Sequence, residues 1–273
     1  VCFFIIVLLI LSCIIVPFFS PFESREQHLG EVNKGFMTVC TDSRYEGQHH
    51  VHYFGTDNLG RDLFLRAFEG GRVSLMIAFA AVFVNLIVGL IYGGISGYIG
   101  GAVDTIMMRI VEIVNGIPYL IVVILLMMVL PKGIFTMVVA YGITGWTGMA
   151  RLVRGQVLQL KSQEYIVAAE AMGAKSSRII AKHLIPNALS VIIINVTLAI
   201  PSAIFTEAFL SYIGLGVPVP QPSWGVLAKG GQDVFMTYPY QLVVPAVAIS
   251  LTMLSFNLLG DGLRDAFDPR LRR

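Results

Sequence analysis

The stretch VSLMIAFAAVFVNLIVGLIYGGI, residues 73–95, contains no charged side chain. A helix rises about 1.5 Å per residue, so a stretch of this length crosses the roughly 30 Å hydrocarbon core of a bilayer. Lipid offers the backbone no hydrogen-bond partner, and an isolated spanning segment must therefore be helical. The stretch predicts a transmembrane helix.

Five further apolar segments predict an all-α integral membrane protein with six transmembrane helices. The predicted spans cover residues 1–19, 73–95, 110–130, 134–150, 188–209 and 242–260. The composition agrees, because 56% of the residues are hydrophobic and 13% are charged, unlike the balance of soluble domains. A net charge of +2 is too small to indicate a nucleic-acid partner. Three cysteines, two of them in an apolar run, predict neither a disulfide framework nor a cysteine metal site.

The distribution of basic residues predicts the orientation. Eleven Lys and Arg lie in residues 96–109, 151–187 and 261–273, which share one side of the membrane, whereas the short connections on the other side carry Lys132 and Lys229. The positive-inside rule therefore places the first group, and both chain termini, in the cytoplasm and predicts a multi-pass plasma-membrane protein.

The regions outside the spans complete the predicted organisation. Residues 20–72 form an extracytoplasmic segment. It contains six basic and eight acidic residues, but in a segment of this length charge has little influence on the orientation of the protein. Residues 73–260 form a five-helix core with a cytoplasmic loop at 151–187, and residues 261–273 form a cytoplasmic tail. The chain begins at Val1 inside an apolar run, so we expect a cytoplasmic piece with the initiator methionine to precede it.

Glycines and polar residues within the spans predict helix contacts. Gly89, Gly93, Gly97 and Gly101 recur every four residues and allow close backbone approach, although the last of them also suits a turn after the second span.

Charged and amide side chains inside spans seldom face lipid because exposure there is costly. Glu112 and Asn115 share a helical face just before Gly116-Ile117-Pro118, where a kink is expected. They are candidates for a translocation pathway, with an Arg109–Glu112 pair as the structural alternative. Glu207 is similarly a candidate for the pathway or for helix packing.

Residues 162–187 form the most informative cytoplasmic stretch and predict two short helices separated by Gly173. Ser162 is a plausible N-cap, Gly173 suits a left-handed helix end, and Pro186 precedes the fifth span. Tyr165, Ala169 and Met172 are expected to share an apolar face that docks into a partner's groove.

This stretch resembles the signature loop of bacterial ABC importer permeases, in which Glu-Ala-Ala, three residues, Gly, nine residues and Ile-x-Leu-Pro follow one another. Ala168-Ala169, Gly173 and His183-Leu-Ile-Pro186 match that spacing, and Val167 stands at the glutamate position. Glu164 and Glu170 are candidates to replace that acid.

Further motifs resemble the second membrane subunit of the dipeptide/oligopeptide (and nickel) permease family. They are Phe54-Gly-Thr-Asp-Asn-Leu-Gly-Arg-Asp62, Ser211-Tyr-Ile-Gly-Leu-Gly216, Pro222-Ser-Trp-Gly225 and Gly260-Asp-Gly-Leu-Arg-Asp-Ala-Phe-Asp-Pro269.

The resemblance implies a permease that imports short peptides by alternating access, with a nickel or metallophore permease as the alternative. It implies a homologous permease as partner, two cytoplasmic ATPases that bind ATP and Mg, and an extracytoplasmic binding protein. The implied ATPase-coupling residues are Glu164, Tyr165, Ala168, Ala169, Met172, Gly173 and Pro186.

The chain itself predicts no ATP hydrolysis and no cofactor site. The nearest approach to a P-loop runs from Gly155 to Ser162, but Leu160 fills the second glycine position and the stretch is expected to be helical. We identify no triad or paired carboxylates, so a membrane-embedded enzyme is the less favoured alternative.

Two features of the extracytoplasmic segment are open to a functional interpretation. His49, His50 and His52 suggest a metal, but a solvated loop is favoured because neighbouring histidines in a loop lack fixed ligand geometry. Asp57, Arg61 and Asp62 are candidates for binding-protein docking, and the alternative is a local ion-pair cluster in which Asp57 caps a short helix over residues 62–72.

Overall fold

A computed structural model describes residues 1–42 and 50–267 of the chain and is almost entirely helical. The helices are α1 (Cys2–Phe19), α2 (Leu63–Ile99), α3 (Gly101–Asn115), α4 (Tyr119–Val129), α5 (Ile134–Thr144), α6 (Trp146–Lys161), α7 (Glu164–Ala171), α8 (Ser176–Ile179), α9 (Ile185–Tyr212), α10 (Trp224–Asp233) and α11 (Tyr240–Phe267). Two short antiparallel strands, β1 (Thr38–Val39) and β2 (Val51–His52), pair with Thr38 opposite His52.

Among the described residues, four helical stretches are long and apolar enough to cross a membrane: α1, α2, the stretch Ser176–Tyr212 and α11. The pair α3–α4 makes a fifth candidate, bent by 78°. The predicted fourth span, 134–150, falls on α5 and the start of α6, which are separated at Gly145 and are individually too short. The all-helical membrane architecture is therefore confirmed, whereas the count of six spans is not.

The break between α3 and α4 lies at the predicted kink. Gly116 ends α3 with its amide donating to Glu112 O (3.0 Å), and Pro118 precedes α4 with an extended ψ of 124°. A proline disfavours helical geometry in the residue before it, and it has no amide hydrogen to donate. The sequence Gly-Ile-Pro thus accounts for the bend.

Several element ends differ from the sequence-based boundaries. α2 begins at Leu63 inside the predicted extracytoplasmic segment and has 37 residues, or roughly 55 Å, which exceeds the bilayer core. The helix proposed for residues 62–72 is therefore the first part of α2. At the other end of the chain, α11 extends to Phe267 into the predicted tail, and residues 268–273 lie outside the described residues.

The chain divides into two compact units. Among the described residues, the first contains 1–42, 50–78, 131–135 and 201–258, and the second contains 79–130, 136–200 and 259–267.

The interior of the first unit centres on Trp224 at the start of α10. Its indole Nε1 donates to Ala67 O (2.9 Å), and its amide donates to Ser74 Oγ (3.2 Å), so both polar groups of this buried residue are satisfied by α2. Ser223 caps α10 by accepting from the Val226 amide.

The second unit is built on close contact between α2 and α6. A Cβ atom on Gly89 would lie 2.5 Å from Met149 Cβ, and one on Gly97 would lie 3.0 Å from Val157 Cβ. Gly93 faces α6 in the same way, whereas Gly101 has a positive φ of 58° and open space around it. The predicted tight packing is confirmed for the first three glycines, and the last one belongs to the turn into α3.

Candidate functional site

The segment between α6 and α9 has the glycine turn that its sequence predicts. Gly173 has a φ of +79°, the Gly173 amide donates to Glu170 O (2.9 Å), and the Ala174 amide donates to Ala169 O (3.1 Å). These bonds close the C-terminus of α7 in the left-handed manner for which glycine is suited. Ser162 does not cap α7, because its hydroxyl donates backward to Gln159 O (3.1 Å).

α7 has one buried and one exposed face. Ile166 and Ala169 are buried, and Ile166 belongs to an apolar cluster with Val153, Val157 and Ile179. The sequence predicts Ala169 on the docking face, but in this chain Ala169 is buried, because the side of α7 that contains Ile166 packs into this cluster.

Three of the exposed residues, Tyr165, Ala168 and the C-cap residue Met172, stand at positions i, i+3 and i+7 and therefore lie on one side of the helix. Met172 is 82% exposed and Tyr165 is 43% exposed, so this surface is apolar and uncovered in the chain by itself. Glu164 is also exposed, in the first turn of α7. We call Tyr165, Ala168 and Met172 the α7 face.

Pro186 does not interrupt the helix that leads into the predicted fifth span, residues 188–209. α8 continues through a π-helical turn over Ile180–Leu184 directly into α9, and Pro186 is the second residue of α9. The wider hydrogen-bond spacing of a π-turn accommodates the amide that proline lacks. The two predicted short helices are thus α7 and the N-terminal extension of the fifth span.

Tyr98 connects α7 and α6 to the end of α2. Its hydroxyl donates to Glu170 Oε1 (3.0 Å), and its carbonyl accepts from Lys161 Nζ (2.5 Å), which also lies 5.1 Å from the centre of the Tyr98 ring. Of the two glutamates named from the sequence, Glu170 therefore has a side-chain contact with another helix.

A bidentate ion pair joins α3 to α6 nearby. Arg154 Nε and Nη2 donate to the two carboxylate oxygens of Asp104 at 2.5 and 2.6 Å, and Ser96 of α2 donates to the same carboxylate (2.5 Å). Sequence reasoning missed this pair, because Arg154 and Asp104 are 50 positions apart and neither belongs to a motif. An acidic residue in the first turn of α3 was the available signal.

The polar residues before the α3–α4 bend lie on the surface of the described chain. Arg109 Nη1 donates to Glu112 Oε2 (2.6 Å), with the two side chains 72% and 57% exposed, and the structural pair considered from the sequence is therefore present. Asn115 is exposed and accepts from the Thr147 hydroxyl (2.7 Å).

Glu207, by contrast, is fully buried. It accepts a hydrogen bond from the Ser211 hydroxyl (2.7 Å), and Ser74 of α2 and Ser223 before α10 also interact with its carboxyl group. These contacts favour the helix-packing interpretation of Glu207 over a place in a pathway.

Asp57, Arg61 and Asp62 are all buried and bonded within the chain. Arg61 Nε donates to Asp57 Oδ2 (2.7 Å), and the Leu59 and Arg61 amides donate to Asp57 Oδ1. Asp62, rather than Asp57, caps α2, because its Oδ1 accepts from the Leu65 amide (2.7 Å). The local ion pair between Asp57 and Arg61 is therefore present in the structure, but the residue that caps the helix is Asp62.

His52 lies between two carboxylates in the segment between α1 and α2. Its Nδ1 and Nε2 contact Asp62 Oδ2 (2.7 Å) and Glu31 Oε2 (3.1 Å). Burial disfavours the charged ring, but hydrogen bonds and the charges of Asp62 and Glu31 outweigh it and raise the pKa of His52. His50 packs edge-on against Phe22, and His49 lies outside the described residues.

Glu31 accepts hydrogen bonds from three groups besides the pair with His52. The amide and hydroxyl of Thr41 donate to Oε1, and Cys40 Sγ donates to Oε2 (3.3 Å). Burial opposes ionisation of this carboxyl, but these hydrogen bonds lower the pKa of Glu31. Burial raises the pKa of the Cys40 thiol to about 11.

Comparison with known proteins identifies the family. Residues 85–273 match the family described as "Binding-protein-dependent transport system inner membrane component". The chain belongs to this family.

Curated relatives resemble the chain over almost its whole length. It is 50% identical to the oligopeptide transport system permease protein OppC of Bacillus subtilis, over 98% of the chain and 84% of that protein. It is 48% identical to the dipeptide transport system permease protein DppC of the same organism, over 99% and 81%. OppC of Escherichia coli is 44% identical, over 98% and 85%.

Solved structures show that the fold is shared more widely. A chain of the MetNI methionine ABC transporter, in an inward-facing conformation, has a TM-score of 0.60 with 21% identity, over 76% of this chain and 98% of that one. A chain of an amino acid ABC transporter crystallised with histidines has a TM-score of 0.55 and 18% identity, over 74% and 94%. The permease-like fold of this membrane protein is thus shown by sequence and structure together.

Proposed function

We propose that the chain is a membrane-spanning subunit of an ATP-driven importer of short peptides, in the oligopeptide and dipeptide branch of its family. The observation that supports this most is 44–50% identity to permeases named for oligopeptide and dipeptide transport over at least 98% of the chain. The same names favour peptides over the nickel or metallophore alternative. Membership of a transport family likewise disfavours a membrane-embedded enzyme.

The proposed assembly pairs the chain with a homologous permease, two cytoplasmic ATPases and an extracytoplasmic binding protein. ATP and Mg bind the ATPases, and this chain contributes no site for either. The stretch from Gly155 to Ser162 supports that division, because it runs along α6 and its end rather than forming a glycine-rich loop after a strand.

The α7 face is the proposed contact with an ATPase. It is apolar, exposed and carried on a helix of two turns, so it suits a groove in a partner. Glu164 and Gly173 bound this helix, and Pro186 leads into α9. Movement of α7 reaches α2 and α6 through Tyr98, because its hydroxyl holds Glu170 and its carbonyl holds Lys161.

Glu112 and Asn115 are proposed to face the translocation pathway. They stand on an exposed side of α3, next to the bend, and direct lipid contact would cost roughly 2.5–3.5 kcal/mol for a central charge. A water-filled route shared with the homologous permease removes that cost. Alternating access then opens this route to each side in turn.

Binding-protein docking through Asp57, Arg61 and Asp62 is proposed only as an indirect role. All three side chains are buried, so their contribution is to hold the turn before α2 in place for the neighbouring exposed residues. We propose that both chain termini are cytoplasmic, as the basic residues predict.

Uptake in cells tests the function. The chain is expressed with its partner subunits in a bacterium that lacks its own peptide importers, and accumulation of a labelled tripeptide is measured beside accumulation of nickel. We expect peptide uptake that requires all subunits, and no nickel uptake. Nickel uptake without peptide uptake would establish the alternative, and neither uptake in a correctly assembled complex would contradict both.

A further inference from the structure

The extracytoplasmic segment before α2 contains little regular secondary structure. Between the end of α1 and the start of α2, the described residues contain two strands of two residues each and a 3₁₀ turn over Leu29–Glu31. Its apolar cluster consists of Phe22, Cys40 and Leu65. Cys40 is a free thiol, so no disulfide cross-links the segment.

Three donor groups of different chemistry converge inside this segment. A ring nitrogen of His28, a carboxylate oxygen of Glu31 and Cys40 Sγ all lie within 4.8 Å of one another. All three residues are buried, and they come from the 3₁₀ turn region and from the residue after β1. Imidazole nitrogen, carboxylate oxygen and thiolate sulfur are all ligands that zinc accepts in proteins.

Neighbouring groups orient these donors. His28 Nδ1 contacts Asp42 Oδ2 (2.8 Å), and Glu31 is held by Thr41 and by His52 Nε2 (3.1 Å). A carboxylate on one ring nitrogen is the usual support of a metal-binding histidine, because it fixes the ring and raises its basicity.

The charge of the cluster also favours a cation. Asp42 contacts His28, and Glu31 and Asp62 contact His52, so even with both rings protonated the three carboxylates outnumber the two positive charges. A divalent cation would offset this excess in a region where burial makes uncompensated charge costly.

We propose that His28, Glu31 and Cys40 bind one divalent cation of the zinc class. The ion cross-links the 3₁₀ turn region to the residue after β1 and so stabilises the extracytoplasmic segment. The Cys40 Sγ–H bond breaks on binding, its proton goes to solvent, and the thiolate becomes the ligand. The thiolate and imidazole select zinc over calcium or magnesium, which take oxygen ligands. The ion is structural rather than cargo, because the donors are buried. The site does not depend on what the chain transports.

Metal analysis of the assembled complex tests the site. The complex is purified through a tag without histidine, dialysed against a weak chelator, incubated with zinc and analysed for bound metal. Cys40→Ser and His28→Gln are the test variants. Cys2→Ser and His50→Gln are matched controls, because they remove a thiol and an imidazole outside the three-donor group.

We expect about one zinc ion per chain in the wild type and both controls, and at least a tenfold loss of affinity in both test variants. Zinc should also raise the thermal midpoint of the wild type but not of Cys40→Ser. Equal zinc binding by Cys40→Ser and the wild type would overturn the proposal.

Cobalt gives a second measurement that does not depend on the variants. Cobalt bound by the wild-type complex should show the near-ultraviolet charge-transfer band of a thiolate ligand, and the band should be retained in Cys2→Ser. If the test variants fail to assemble, the spectrum of the wild-type complex decides whether a cysteine thiolate binds the metal. Absence of the band, or of any cobalt or zinc binding by the wild type, would overturn the site.

Discussion

Asp104 and Arg154 show how much one pair of residues contributes when its geometry is bidentate. The two parallel hydrogen bonds join α3 to α6, and Ser96 of α2 adds a third contact to the same carboxylate. The side chains are 13% and 32% exposed, so solvent screens them less than it screens a surface pair. The planar guanidinium is required, because an ammonium group cannot donate two parallel bonds.

Arg154→Lys should therefore destabilise the protein although it retains the charge. We expect a loss of about 1–3 kcal/mol from the incompletely satisfied carboxylate, measured as a lower thermal midpoint of the purified complex. Lys229→Ala is the control, because the Lys229–Asp233 pair is exposed and should contribute little. An unchanged midpoint in Arg154→Lys would show that the second parallel hydrogen bond does not contribute to stability.

At the scale of elements, the contact between α2 and α6 depends on the absence of side chains at three glycines. Alanine in a helix is normally more stable than glycine by about 0.5–1 kcal/mol. At Gly93 this gain is reversed, because a Cβ atom would lie 2.9 Å from Val153 Cβ and would also meet the backbone of Ala150. At Gly148 no atom lies within 4 Å of the added Cβ.

Gly93→Ala and Gly148→Ala should consequently change stability in opposite directions. We expect Gly93→Ala to lower the thermal midpoint and the amount of protein in the membrane, and Gly148→Ala to leave both unchanged or slightly higher. Thermal unfolding and quantitative immunoblotting measure the two effects. Equal behaviour of the variants would mean that the α2–α6 contact tolerates a larger separation.

The two alanines of α7 make a sharper comparison, since they are adjacent but Ala168 is exposed and Ala169 is buried. Ala168→Arg should leave membrane abundance at the wild-type level and abolish peptide uptake, because the new side chain covers the α7 face. Ala169→Arg should reduce abundance instead, because Ala169 is 6% exposed and a charge there is buried. Wild-type uptake by Ala168→Arg would contradict the coupling role.

Gly173→Val tests the turn that orients this helix. Valine is strained at a φ of +79°, although no neighbouring atom obstructs it, so any defect comes from the backbone alone. We expect uptake and the binding protein's stimulation of ATP hydrolysis to fall, with insertion and pairing unchanged. Gly173→Asn is the control, because asparagine tolerates the left-handed region and should retain part of the activity.

At the scale of the whole molecule, orientation across the membrane is the main prediction. Lys182 is exposed and expected in the cytoplasm, and Lys132 is exposed and expected outside. Trp224 is also expected outside, but it is buried, so Met236, which is 95% exposed, replaces it as a reporter on the same side.

Single cysteines at these positions check the orientation in a Cys2→Ser background, where the remaining two thiols are buried. An impermeant thiol reagent added to intact cells should label positions 132 and 236, and should label position 182 only after the membrane is opened. Labelling of position 182 in intact cells, with 132 protected, would reverse the topology.

The sequence by itself determined the features that depend on neighbouring residues. Long apolar runs become membrane helices because lipid leaves the backbone no alternative, and Gly-Ile-Pro bends α3–α4 because proline acts on the residue beside it. The left-handed Gly173 and the Arg109–Glu112 pair are equally local, since the first depends on a missing Cβ and the second on helical spacing.

Only the tertiary structure decided which residues meet across the chain. The burial of Ala169 depends on the apolar cluster around Ile166, and the Asp104–Arg154 pair depends on how α3 and α6 pack. The grouping of His28, Glu31 and Cys40 likewise requires the chain to fold back on itself through β1 and β2. Side-chain packing between distant segments sets these contacts, and a one-dimensional pattern does not specify it.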